Sequence, residues 1–399
     1  MKVLIVSPVP TDPPLAGNRA RVAALFAALV RLGHDVTFAY VPYEMADYEK
    51  MRVRLGDRLH LLQATPPPFP RFAERLQRKV KRALGLNSAY SWSVDEWFDE
   101  GLVTQIRRLQ ARESFDAVLI EYVFLSKLAA RLPTSVRTII DAHDIMGNRH
   151  IRFLTAGLKP GWFTTSPTRE ISALNRADAV IAIQEQDASY FRQNLSTEVL
   201  CVGHLFGPDL SPLPDPGGAR LLFVGSDIPI NVQGLEWFAN SVFPIIRKEM
   251  PNSELAIAGP IGNARPWPDG LLVLGNLETL EDAYARATVV INPVKFGTGL
   301  PIKTIEALGY GRPVVATPAG VRGIERDFEG AILVAETQEI FAELILALLR
   351  STVARSTMSR NALAAARQWQ RRQLDALQAA ITGYSSSSQI GRNQTDCCG

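Results

Sequence analysis

Cysteine is scarce in this chain, with three in 399 residues. Cys201, Cys397 and Cys398 form neither a disulfide framework nor a spacing suited to zinc, which implies a reducing compartment. No apolar run reaches about 18 residues, the length a membrane-spanning helix needs. Even AILVAETQEIFAELILALL carries acids. The opening MKVLIVSPVP reads as a strand rather than a signal peptide, so the expected location is cytoplasmic or peripheral on the inner face of a membrane. Charge of one sign is also lacking. The formal net charge of +3 supplies no global field for nucleic acid. The sequence has no Asp-x-Asp pair, no Cys/His cluster at ligand spacing, no Walker motif and no G-x-G-x-x-G, so it offers no support for a bound metal, a P-loop or a nicotinamide site.

A content of 47% hydrophobic and 21% charged residues is that of an ordinary globular protein, and the length suggests two domains. Short apolar strands alternate with amphipathic helices: KVLIVSPV, the helix NRARVAALFAALVRLG, DVTFAYVP, FDAVLIEY, RTIIDAHD and ADAVIAIQ. Such alternation implies α/β architecture with a parallel sheet. The proline- and glycine-rich stretch from Gly203 to Gly218 reads as a linker. Beyond it the alternation resumes with ARLLFVGS, LEWFANSVFPIIRKEM, SELAIAG, GLLVLG and LEDAYARA. Two doubly wound parallel-sheet domains follow, with a ligand expected in the cleft between them at the carboxyl ends of the strands. The expected limits are 1–205 and 206–365, then a helix over 366–384 and a low-complexity tail over 385–399. The sequon at Asn393 carries little weight without a secretory signal.

The segment NPVKFGTGLPIKTIEALGYGRPVVAT, Asn292 to Thr317, is the richest in chemistry. It places a glycine-flanked loop and a helix starting at Pro301 between two apolar strands. Unpaired amides and the dipole at such a helix start favour a phosphate by roughly 0.3 to 1 kcal/mol. Gly297 and Gly299 let a ligand approach the backbone up to Leu300, and Lys295 and Lys303 add positive charge. Ile302, Ile305, Leu308 and Gly309 form the face toward the sheet, with Glu306 at its edge. Spacing alone leaves two readings of Glu306: an ion pair with Lys303, or a bidentate acceptor for neighbouring hydroxyls such as those of a ribose.

This segment resembles the donor-binding signature of glycosyltransferase family 4, the group 1 set of retaining transferases. That signature is a Glu, seven residues, a second Glu, then a small residue, Gly and Pro-Val. Glu306, Gly311, Pro313 and Val314 match the second half, while Thr298 stands where the first Glu is expected. The resemblance implies the two-Rossmann architecture called GT-B, with Glu306 on the ribose of a nucleotide-diphosphate sugar. Thr298 inherits only the position of the sugar-contacting acid. The nucleotide sugar is the co-substrate, and no further cofactor is implied.

Other candidates lie at strand ends. Gly17 and Asn18, after the first strand, offer amides to a diphosphate, or else form a plain turn with Asn18 as helix cap; Arg19 and Arg21 are weaker candidates. His143 follows a buried strand, where a loop histidine satisfied by backbone is the plain alternative; the resemblance implies that it faces the donor sugar and leaving phosphate. Asp144, Arg149 and His150 are acceptor-side candidates. In FVGSDIPINVQG, Gly225, Ser226 and Asn231 are donor candidates. The family's usual Arg and Lys are absent there, so Lys295 and Lys303 are expected to take over the phosphate charge. His34, His60 and His204 have no supporting constellation. Finally, RFAERLQRKVKRALG puts Phe72, Leu76, Val80 and Ala83 on one stripe, with Arg71, Arg75, Arg78, Lys79 and Arg82 largely elsewhere. Over 71–85 this gives either a contact with anionic lipid or a basic face whose apolar stripe packs on the first domain.

The expected function is metal-independent transfer of a hexosyl group from a nucleotide-diphosphate sugar to a glycan, glycolipid or lipid-linked acceptor in bacterial polysaccharide or envelope assembly. The resemblance implies attack on the same face, with the departing phosphate taking the acceptor proton. The rival readings are a nucleotide-sugar epimerase and a non-catalytic nucleotide-sugar-binding subunit, the latter prompted by Thr298.

Overall fold

Apolar runs too continuous to face water on either side build two parallel sheets. The computed structural model describes residues 1–14, 16–64, 72–207, 210, 212–263, 266–268, 270–277, 279–297 and 299–384, without the side chains of 72–75. The first sheet contains β1 (Lys2–Ser7), β2 (Asp35–Tyr40), β3 (Leu59–Leu61), β4 (Ala117–Glu121), β5 (Arg137–Asp141), β6 (Ala179–Ala182) and β7 (Glu198–Cys201). Their order is β3-β2-β1-β4-β5-β6-β7, and every pairing is parallel. The second contains β8 (Arg220–Val224), β9 (Glu254–Ala258), β10 (Leu271–Gly275), β11 (Val289–Asn292), β12 (Val314–Ala316) and β13 (Ile332–Val334). Its order is β10-β9-β8-β11-β12-β13, again all parallel. β4 and β11 are buried throughout and β9 from its second residue, as a parallel sheet covered on both faces requires.

In both sheets the strand order reverses at one point, between β1 and β4 in the first and between β8 and β11 in the second. Doubly wound sheets bind ligands outside the carboxyl ends of the strands at such points. Gly225 and Ser226 lie just past β8 and Lys295 just past β11, at the second of these points, while His143 lies just past β5, the neighbour of β4.

The helices follow the sequence pattern closely. Gln338–Arg350 is capped by Thr337, whose side chain accepts from the Ile340 amide, and it buries Phe341, Ala342, Ile345 and Leu349. Those residues join Phe223, Phe238 and Ile257 in the core of the second sheet, where each fully buried large side chain contributes about 1.5 to 3 kcal/mol. Three short edge strands, β3, β7 and β13, escape the sequence pattern because they are partly exposed and carry no long apolar run. The helix expected from Leu235 starts earlier, at Pro229, because proline suits a first helical position.

The chain divides into two compact units. One holds Met1–Pro13, Arg21–Gly203 and the chain from Gln373 onward; the other holds Pro14–Ala20 and His204–Arg372. The last helix, Thr352–Thr382, thus contributes residues to both. No helix among the described residues is long and apolar enough to cross a membrane.

Candidate functional site

In the second unit, chemistry gathers around the helix Ile302–Gly309, which follows β11. Asn292, at the end of β11, donates to Thr304 Oγ1 at 2.9 Å and to the Gly320 carbonyl at 3.3 Å, and Thr304 donates to the same carbonyl at 2.8 Å. These buried bonds fix where the loop leaves the strand and where the helix begins. Pro301 precedes the helix and gives it no side-chain cap; the Ile302 and Thr304 amides turn to the Leu300 and Pro301 carbonyls at 2.9 Å each, so an anion here would rest on the positive end of the helix dipole and on the preceding loop. A Cβ at Gly297 or Gly299 would meet nothing within 4 Å; the loop beside the helix borders open space. A Cβ at Gly17 would come within 3.2 Å of Ile302 Cδ1, so the start of the helix Gly17–Arg31 sits against this helix start and adds a second amide-rich terminus.

Lys303 reaches back under β8. Its Nζ donates to Asn231 Oδ1 at 2.6 Å and lies 4.4 Å from the Phe223 ring centroid. Asn231 in turn donates to the Ser226 carbonyl at 2.9 Å and to its hydroxyl at 3.3 Å. Ser226, Asn231 and Lys303 therefore form one hydrogen-bonded chain. Burial pushes the Lys303 ammonium down to about 7, against the opposing pull of Glu306. Burial lifts the Glu306 carboxyl to about 7, against the pull of Lys303. Glu306 Oε1 also lies 3.7 Å from His204 Nε2, and the buried Tyr284 ring stacks on Tyr310 at 4.6 Å nearby. Lys303 gives one of its three donors to Asn231 and still pulls on the Glu306 carboxylate, so both readings of Glu306 stand.

In the first unit, parallel pairing sets Glu121 of β4 directly beside Asp141 of β5. Both acids are fully buried. Arg21 neutralises Asp141 through two hydrogen bonds of 2.7 and 2.8 Å and donates to the Gly203 carbonyl at 2.9 Å. His143 Nε2 lies 2.5 Å from Glu121 Oε2 and 3.4 Å from Asp141 Oδ2. Its ring stacks on Tyr122 with centroids 3.9 Å apart. Burial and the neighbouring Asp141 push Glu121 up to about 7, with His143 and Arg21 opposing. For Asp141, burial is outweighed by Arg21 and His143, and its carboxyl is driven down. With Nε2 turned inward, Nδ1 is the ring nitrogen left to meet a ligand.

The backbone here is strained: Tyr122 has φ 70° and His143 has φ 61°, each costing on the order of 1 to 3 kcal/mol for a non-glycine residue. Glu170 helps to hold the loop. Its two oxygens accept from the Met146 and Gly147 amides at 2.6 and 2.8 Å. Glu121, Asp141 and His143 also bring three ligand atoms within 4.8 Å of one another, a cluster that spacing along the chain did not suggest. Arg21 already engages both Asp141 oxygens, so a divalent ion would have to displace a buried bidentate pair.

Several expectations change in this setting. Arg21 is buried and committed to Asp141, so it is no phosphate partner. Asn18 lies inside the helix rather than capping it, with its side chain accepting from the Arg19 amide at 3.0 Å. Asp144, Arg149 and His150 are not drawn to His143: Asp144 pairs with Arg149 at 2.8 Å and Arg152 at 3.5 Å, and His150 Nδ1 lies 3.0 Å from Thr164 Oγ1. Lys295 is exposed, with its Nζ 3.9 Å from the Trp237 ring centroid. Gly225 has a packing role, since Gly259 crosses it so closely that a Cβ there would come within 2.4 Å of the Gly225 carbonyl. His204, dismissed on sequence, is buried beside Glu306. Arg322, also overlooked, donates to the Gly297 carbonyl at 3.3 Å. Thr298 lies outside the described residues, as do Arg71, Asn393, Cys397 and Cys398.

The helix Phe72–Ala83 carries a further correction. Leu76 is 54% exposed and Val80 48% exposed, followed by Leu84 at 68% and Leu86 at 48%. The described part of this stripe, Leu76, Val80 and Ala83, is exposed rather than packed on its own domain. Arg78 does fold inward, to the Ser91 carbonyl at 2.9 Å and Glu96 at 3.0 Å.

Residues 16–199 match the model of the glycosyl transferase 4-like domain, and residues 218–351 match that of the glycosyl transferases group 1. The chain belongs to the group 1 glycosyltransferases. The resemblance carried by Glu306, Gly311, Pro313 and Val314 is thus a family membership, and the two sheets are the two Rossmann-like domains of the GT-B fold. This glycosyltransferase is 31% identical over 145 residues to an uncharacterized 44.6 kDa protein in the cps region of Klebsiella pneumoniae, a match covering 33% of the chain and 37% of that relative's length. Among solved structures, sucrose-phosphate synthase from Thermosynechococcus elongatus aligns with TM-score 0.64 at 18% identity, over 98% of each chain. Anabaena HepE, solved with UDP and glucose, aligns with TM-score 0.61 at 14% identity, over 99% of this chain and 100% of its own. TarM of S. aureus, solved with UDP and glycan ligands, aligns with TM-score 0.66 at 10% identity, over 94% and 99%.

Proposed function

We propose that this glycosyltransferase moves a hexosyl group, with retention, from a nucleotide-diphosphate sugar to a hydroxyl of a glycan, glycolipid or lipid-linked acceptor in polysaccharide or envelope assembly. The observation that carries the reading is the arrangement at the second switch point. An uncapped helix start and an open glycine loop lie beside Lys303, while Glu306, one turn further along, is held among His204, Tyr284 and Tyr310. The diphosphate lies on the amides near Gly297 to Leu300 with Lys303 beside it, and Glu306 accepts from the ribose hydroxyls. Lys295 and Arg322, at the outer side of the loop, add positive charge. UDP in two structures of the same fold makes uridine nucleotides the first donors to test, and the cps-region origin of the Klebsiella pneumoniae relative fits a polysaccharide product.

In the transfer step the bond between the anomeric carbon and the phosphate oxygen breaks, and its electron pair leaves with the diphosphate. The acceptor oxygen bonds to that carbon on the same face, and its proton passes to the departing phosphate oxygen. No strong protein base is required. The protein's contribution is to stabilise charge on the leaving group and to orient both partners. His143, held by Glu121 and Tyr122, keeps the role that family resemblance assigns to it, a contact with the donor sugar. The exposed stripe from Leu76 to Leu86, with Lys79 and Arg82 nearby, supports peripheral contact with an anionic membrane.

Incubation with a panel of nucleotide sugars, with and without acceptor extract, tests the proposal. Acceptor-dependent nucleotide release is expected. An isomerised donor would indicate an epimerase instead, and donor binding without turnover a non-catalytic subunit. Full transfer by Glu306→Ala would remove the core of the site assignment.

A further inference from the structure

An aromatic pocket in the first unit, beside the His143 cluster, has no part in the reading so far. Its cavity of about 230 Å³ is walled by Tyr90, Trp92, Trp97 and Trp162, with Arg82, Pro160 and Thr164 completing the lining. The volume lies below the roughly 300–1,000 Å³ typical of sites for drug-sized molecules. It suits a single small ring.

The walls are rigid. Trp97 makes edge contacts with Trp92 at 5.9 Å, Trp162 at 5.7 Å and Phe163 at 5.3 Å. The Arg78 guanidinium covers one face of Trp92, 3.5 Å from the ring centroid. Thr164 and Thr165 fix the Trp92 backbone through bonds of 2.8 and 2.7 Å. Tyr90, Trp92 and Trp97 are half-buried, and Trp162 is more open still, 38% exposed with φ 66°. Four aromatic rings share one open pocket and one of them is held on strained backbone, which points to a ligand. The pocket is also one ring from the candidate catalytic histidine, because Tyr122 stacks on His143 at 3.9 Å and meets Trp162 at 6.0 Å.

We propose that this pocket binds a hexopyranose unit of the acceptor. A pyranose presents apolar C–H faces, which the electron-rich faces of tryptophan and tyrosine attract, and hydroxyl edges, which Arg82 and the indole N–H groups can meet. A flat aromatic ligand would use the walls but leave Arg82 without a role. A free phosphate would use Arg82 but not three tryptophans. The inference rests on the glycosyl-transfer reading for the identity of the molecule that carries the sugar; the binding itself can be tested alone.

Three of the six tryptophans line the pocket, so intrinsic fluorescence of the full chain is the readout. Methyl α-D-glucopyranoside, methyl α-D-mannopyranoside and methyl α-D-galactopyranoside are the probes, and UDP binding is measured in parallel by calorimetry. A saturable fluorescence change with at least one glycoside is expected. Trp162→Ala, with unchanged far-UV circular dichroism, should abolish it, Trp162→Phe should keep part of it, and Arg82→Gln should weaken it roughly three- to tenfold. UDP binding should survive all three. No saturable change with any glycoside overturns the pocket proposal, and so does a response that Trp162→Ala leaves intact. UDP binding in the same samples keeps the donor reading standing in either case. Loss of UDP binding with the glycoside response preserved sinks the donor reading and supports the pocket.

Discussion

Donor affinity measured against pH probes the Lys303 and Glu306 pair most directly. In the unliganded protein, burial holds Lys303 down at about 7 and Glu306 up at about 7. A diphosphate beside Lys303 favours its ammonium form, and ribose hydroxyls donating to Glu306 favour its carboxylate form. Above neutrality the free Lys303 is deprotonated, so binding must take up a proton and weakens as pH rises. Below neutrality the free Glu306 is protonated, so binding must release a proton and weakens as pH falls. If Lys303 regains its ordinary value in the complex, affinity drops roughly fifty-fold between about pH 7 and about pH 9. If Glu306 does the same, the drop from about pH 7 to about pH 5 is roughly forty-fold. Calorimetry with UDP-glucose, run in buffers of different ionisation enthalpy, reads both the affinity and the proton count. A bell centred near neutrality is expected. Lys303→Met should flatten the alkaline limb and Glu306→Gln the acid limb. A flat wild-type profile, or an alkaline limb that persists in Lys303→Met, refutes the reasoning.

Glu170 should make stability depend on pH, because burial holds its carboxyl up at about 8 despite two backbone hydrogen bonds. Its raised value favours folding fully below the ordinary 4.5, and that contribution is lost as pH rises through about 8. Glu170→Gln should therefore flatten the denaturation free energy across that window, by on the order of 5 kcal/mol; identical slopes for the two proteins would contradict this. Arg21→Met should destabilise the chain by about 3 to 5 kcal/mol in urea unfolding, since it leaves Asp141 buried without its partner beside Glu121. A loss below about 1 kcal/mol would place the Arg21 pair in the weak class of surface ion pairs. Vesicles containing phosphatidylglycerol should pellet the wild type at low salt and much less of a Leu76→Gln, Val80→Gln, Leu84→Gln triple variant. Equal pelleting of both would dismiss the membrane contact.

The sequence by itself determined the two sheets and one half of the chemistry. Continuous apolar runs such as AVLIE and ELAIA can only be strands covered on both faces, and the spacing of Ile302, Ile305 and Leu308 placed Glu306 at the edge of a buried helix face. Those signals are local, carried by residues within one element. The edge strands β3, β7 and β13 were not legible, because a short half-exposed strand differs little from a loop until a neighbour pairs with it. Nor was the setting of His143. Glu121 and Asp141 each end an apolar strand, but only the parallel register of β4 and β5 makes them neighbours, and only Arg21, 120 positions from Asp141, allows both acids to stay buried. His204 beside Glu306 and Arg322 beside the Gly297 carbonyl depend in the same way on where the fold returns the chain. The exposed stripe after Leu76 was legible as amphipathic, but what it faces depends on packing. Periodicity fixes which residues share a face, whereas electrostatic partners are chosen by distances of a few ångströms between residues far apart in sequence, and these exist only once the sheets have formed.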